Sequence, residues 1–94
     1  MPYIAQEKRE VLEDPIKQVV DALRQLESDD PENVMSGNLN YVFTTILLRV
    51  FTSPRYDDMN TIIGILECVK QEYYRRASAP YENQKAHDNG DVYT

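Results

Sequence analysis

Ninety-four residues make one small domain, near the lower size limit for folding alone, so self-association would be a natural supplement to its core. The composition, 41% hydrophobic with 28% charged residues, is that of an ordinary globular chain. The net charge of −6 excludes a surface that is basic throughout, and with it a general nucleic-acid platform.

The charge is uneven. Residues 1–34 hold nine acids and four bases, whereas residues 35–80 hold five bases (Arg49, Arg55, Lys70, Arg75, Arg76) and four acids. A local anion site is therefore compatible with an acidic protein. The single cysteine, Cys68, excludes an intrachain disulfide and a cysteine metal cluster. It lies among Ile65, Leu66 and Val69, which predicts a buried, inert thiol. The N-terminus, Met1-Pro2-Tyr3-Ile4 followed by charged residues, does not read as a signal peptide. The longest apolar run, Ile46-Leu47-Leu48, is too short for a bilayer, so a soluble cytoplasmic protein with no membrane role is expected.

In chain order, residues 1–13 read as a charged lead-in, either frayed or a separate short helix. Asp14-Pro15 then predicts a helix start, with Asp as cap and Pro at the first helical position. Ile16, Val19, Val20, Leu23 and Leu26 form one apolar stripe, and Asp29-Asp30-Pro31 ends it, giving a helix over 15–28.

A second helix is predicted over 38–52, capped by Ser36 or Asn38. Leu39, Val42, Phe43, Ile46, Leu47 and Val50 make its main stripe, while Tyr41, Leu48 and Phe51 fall outside it. A helix apolar almost all round is central or buried against another subunit. Ser53-Pro54 breaks the chain.

The third helix, 58–78, is capped by Asp57 or Asp58 and striped by Met59, Ile62, Ile63, Leu66, Val69 and Tyr73. Glu72 and Arg76 are spaced as an acid-to-base pair. Pro80 is expected to interrupt this helix or end it near Ser78. Residues 82–94 form a polar, partly mobile tail that includes a short helix and the Asn89-Gly90 turn. The sum is an all-α fold, a three-helix hairpin or bundle in one domain over 1–94, assembled into a homo-oligomer.

Catalytic patterns are scarce. His87 has no serine or cysteine partner at a recognisable spacing, and Gly37, Gly64 and Gly90 stand alone instead of forming a phosphate loop. No metal site, cofactor or enzyme activity is expected. The remaining catalytic reading is a magnesium-dependent, all-α nucleotide pyrophosphohydrolase using Glu7, Glu10, Glu13 and Glu67. Its weakness is that the Glu-x-x-Glu spacings lie outside the best-patterned helices.

The residues that burial does not require are polar and aromatic. Lys70, Tyr74, Arg75, Arg76 and Tyr81 place cations and rings near the helix end that meets Pro80, and Asn40 and Tyr41 stand at the mouth of the second helix. Arginine forks and tyrosine rings suit a protein interface, and equally a planar anion such as a nucleotide. The bland alternative is that the arginines offset the helix dipole while the tyrosines edge the core.

Met1-Pro2-Tyr3-Ile4, Asn38-Leu39-Asn40-Tyr41, Glu72-Tyr73-Tyr74-Arg75-Arg76, Ala79-Pro80-Tyr81-Glu82 and Asn89-Gly90-Asp91-Val92-Tyr93 together resemble a family of small proteins of unassigned function from bacteriophages and prophage-carrying bacteria. The resemblance covers nearly the whole chain and lends no site residues. It implies action in a host cytoplasm, as a non-enzymatic inhibitor or adaptor of a host protein. The alternative it implies is an oligomeric sponge that holds a nucleotide-like anionic signal between subunits.

Overall fold

The computed structural model describes residues 2–93; Met1 and Thr94, and with Thr94 the last position of the expected polar tail, lie outside the described residues. Among these residues there is no strand. The helices are α1 (Gln6–Asp29), α2 (Met35–Val50), α3 (Tyr56–Tyr73) and α4 (Ala79–Asn89), with a π-helical turn, Tyr74–Ser78, joining α3 to α4. No residue between Tyr56 and Asn89 leaves the helix, so the described residues form three helical rods. The chain divides into two compact units, Tyr3–Pro54 and Arg55–Thr94, the second including the first two residues of the chain.

In the first unit, α1 begins nine residues before Pro15, which is an interior residue and not the expected helix start. Glu7 to Glu13 is rich in strong helix formers, and their summed propensity carries the helix through one proline, despite a cost of about 3 kcal/mol. The lead-in over residues 6–13 is therefore part of the first helix. Arg9 Nε donates to the Ile4 carbonyl at 2.8 Å and ties the chain entry to the first turns.

The expected stop at Asp29-Asp30-Pro31 is where α1 ends. The Asp30 N–H still donates to Leu26 O at 3.2 Å, and the Asp30 carboxylate accepts the Glu32 N–H at 2.9 Å to shape the connection. Neither Ser36 nor Asn38 caps α2. Its N-cap is Val34, and Asn38 instead donates from Nδ2 to Asn33 Oδ1 at 2.6 Å, across the connection.

α1 and α2 pack as a helical hairpin around Leu23, the one buried hydrophobic side chain among the described residues, at 8% exposure. α2 is not central in this unit. Leu39, Val42, Thr45 and Leu47 are half-buried, whereas Tyr41, Phe43, Ile46, Leu48 and Val50 stay exposed. The helix ends at Val50, with Phe51 as C-cap, two residues short of its expected end.

In the second unit, α3 starts at Tyr56. Asp58 is not the N-cap; from the third helical position its carboxylate accepts the N-cap Arg55 N–H at 2.9 Å. Pro80 neither ends nor breaks the helix. A proline removes one backbone donor and crowds the carbonyl four residues before it. The wider turn answers this: the Ala79 N–H reaches back five residues to Tyr74 O, and Pro80 falls in the first turn of α4, where its missing N–H is tolerated. Helix consequently runs through residues 82–89 of the expected tail. It stops at Gly90, whose φ of 95° is a conformation that favours glycine and whose N–H caps Ala86 O at 2.9 Å.

The chain exposes 8517 Å². Two separate compact units of these sizes would expose only about 6,700 Å². Each unit thus leaves much of its apolar stripe in water.

Candidate functional site

Four of the sequence-predicted residues, Lys70, Tyr74, Arg75 and Arg76, gather in the last turn of α3 and the π-helical turn. The helix positions them through its own hydrogen bonds: the Tyr74 N–H is shared between Lys70 O and Gln71 O. Two of the three cations are partly committed to their own helix. Lys70 Nζ lies 3.5 Å from Glu67, and Arg75 forms a hydrogen-bonded ion pair with Glu72. Glu72 was expected to pair one residue further on, with Arg76; the pairing with Arg75 has the three-residue spacing that also brings side chains together on a helix. Among the described residues Arg76 has no ion pair.

A hydrogen bond from Gln71 Nε2 at 3.1 Å, and secondarily the charge of Lys70, hold the exposed Glu67 carboxyl below its usual titration range. Tyr81, on α4, lies under Lys85, whose Nζ is 5.6 Å from the ring centroid.

An open groove of about 550 Å³ is lined by Pro2, Ile65, Cys68, Val69, Tyr73 and Arg76. Arg75 lines a smaller recess of about 220 Å³ beside it, with Cys68, Gln71 and Glu72. Cys68 is exposed, contrary to its expected burial. It falls off the line Met59-Leu66-Tyr73, and this groove leaves its side of α3 open. Its place off the stripe was the signal that would have found it; its apolar sequence neighbours hid that signal.

Asn40 and Tyr41 belong to the other unit. They line a shallow surface with Ser36, Gly37 and Thr44, and Asn40 Oδ1 accepts the Thr44 hydroxyl at 3.2 Å. Tyr41 also edges a cleft of about 310 Å³ between α1 and α2, with Val19, Leu26 and Val42. Glu7, Glu10 and Glu13 are likewise in that unit, on exposed turns of α1. Among the described residues no three metal-ligating side chains converge, and no helix is long and apolar enough to cross a membrane.

These features define a class: an all-helical chain with open apolar helix faces and a cationic, aromatic helix end. The chain belongs to the DUF6899 family, a domain of unknown function, whose model matches residues 1–92. No curated protein and no solved structure matches it.

Proposed function

We propose that this is a non-enzymatic binding protein that works as a homo-oligomer. In this reading it is phage-borne and acts in the host cytoplasm as an inhibitor or adaptor of a host protein. The observation that carries the reading is the exposure of apolar side chains on α2 and α3, in a chain where Leu23 alone is buried among the described residues. Such faces on one chain seek a protein surface, either a second copy or another protein. The working surface for the host partner is Lys70, Tyr74, Arg75, Arg76 and Tyr81, with Asn40 and Tyr41 as a separate contact. Tyrosine and arginine are the side chains that most often anchor interfaces.

One observation favours a second reading, a sponge for a nucleotide-like anion. The groove of about 550 Å³ falls in the size range of small-molecule sites and brings Tyr73 together with Arg76, a cation not spent on a neighbouring acid. In that reading the groove is completed between subunits, the ring stacks on a planar ligand and the guanidinium holds its charge.

Native mass spectrometry of the protein purified from its host separates the two readings and counts the subunits. A co-purified protein supports the first, and a co-purified small anion supports the second. Tyr74→Ala combined with Arg75→Ala is expected to weaken binding of the captured partner at least tenfold. Unchanged binding would show that this surface is structural.

A further inference from the structure

We infer that two copies of the chain associate through α3 in antiparallel orientation, with the dyad near residues 67 and 68. This rests on the homo-oligomer reading and adds to it a face, a direction and a register. Met59, Ile62, Leu66, Val69 and Tyr73 follow one another at alternating steps of three and four within α3, and Arg76 lies just beyond it in the π-helical turn. That spacing makes a straight seam suited to a second helix. The seam is open in the single chain: Ile62 is half-buried and the others are exposed, Val69 by 60% and Tyr73 by 69%.

Charge sets the direction. The first turn of α3 carries Asp57 and Asp58, and its last turn carries Lys70 and runs into Arg75 and Arg76 of the π-helical turn. A parallel pair would place like charges side by side. An antiparallel pair brings Arg76 of one chain to Asp58 of the other, and Leu66 then packs on the partner's Val69. Asp58 uses one carboxylate oxygen, Oδ2, to accept the Arg55 N–H, which leaves the other for an arginine.

The seam's apolar side chains are available to a partner: Met59 is 50%, Leu66 40%, Val69 60% and Tyr73 69% exposed. Gly64 and Cys68 lie off the seam, so both stay accessible in the dimer. Arg76 becomes a residue of the seam, while the two Tyr74–Arg75 pairs stand about 20 Å apart along the helix axes, at opposite ends.

The test uses the full chain. Sedimentation equilibrium of the native protein establishes whether it self-associates. Leu66→Lys is expected to shift it to monomer, Arg76→Glu to weaken association at least tenfold, and Asp58→Lys added to Arg76→Glu to recover it. Asp58→Asn controls for the lost cap. A spin label at Asn60→Cys in a Cys68→Ser background gives the direction. The antiparallel register separates the two labels by about 22 Å along the helix axes, a component that a parallel pair lacks. A native monomer would overturn both this inference and the reading beneath it. An oligomer that survives Leu66→Lys, fails to recover with the paired charge reversal, or holds the labels closer than this axial separation would overturn this inference alone.

Discussion

Replacing Gly64 by alanine should stabilise this protein, and the size of the gain can be worked out in advance. Gly64 lies in the middle of α3, eight residues after its start. Glycine in a helix interior is about 0.8 to 1.0 kcal/mol less favourable than alanine, because the unfolded chain has more conformations to lose. Added contacts or clashes can cancel that gain, but a methyl built at Gly64 meets nothing within 4 Å. The full propensity difference, about 1 kcal/mol, should therefore appear as added stability, with a rise of roughly 4 to 8 °C in Tm for a chain of this size. Urea unfolding followed by circular dichroism, at several protein concentrations, measures it. Gly64 is off the proposed seam, so the gain should not depend on concentration. A loss of stability on Gly64→Ala, or a shift in subunit count, would mean that another backbone approaches this glycine, and the reasoning would fail.

Three further outcomes follow from particular side chains. Glu67 should titrate below the ordinary glutamate value in carboxyl NMR, and Gln71→Ala should raise its midpoint. Because its folded pKa is depressed, its contribution to stability is present above the ordinary carboxylate range and is lost as pH falls through the lowered value. Gly90→Ala should cost about 1 to 2 kcal/mol locally, since φ of 95° strains any side chain, and faster amide exchange confined to the end of α4 would report it. Cys68 should react fully with a thiol reagent in the native protein; reaction only after unfolding would contradict its exposure.

The helical class was legible because three apolar stripes recur at helical spacing, and the stops at Asp30-Pro31 and Ser53-Pro54 remove backbone donors where nothing replaces them. Pro15 and Pro80 misled. A proline signals that one hydrogen bond is missing; whether the helix stops there depends on what stands on both sides. Around Pro15 the flanking helix formers outweigh it, and before Pro80 a wider turn accommodates it. The Lys70–Arg76 cluster was legible as a local charge concentration, but its partners were not. Glu67 and Glu72 take up part of that charge through contacts that depend on helix phase, and the π-helical turn changes that phase just where the cluster sits. The exposure of Cys68 was hidden for a related reason: apolar neighbours in sequence say nothing of whether a second element covers that side.

The turn at Tyr74–Ser78 acts as a vernier between the two ends of one rod. It takes up one residue more than a regular helix would, so every side chain after it points where its predecessor would otherwise have pointed, a change of about 100°. Counted straight through, Pro80 continues the line Leu66-Tyr73; with the slip, Tyr81 inherits that direction and Pro80 is turned aside. A deletion of a single residue within this stretch would keep the helix and its length almost intact while redirecting all of α4. Chain length here is a steering parameter, and homologous chains that differ by one residue in this stretch would aim the same side chains at different neighbours.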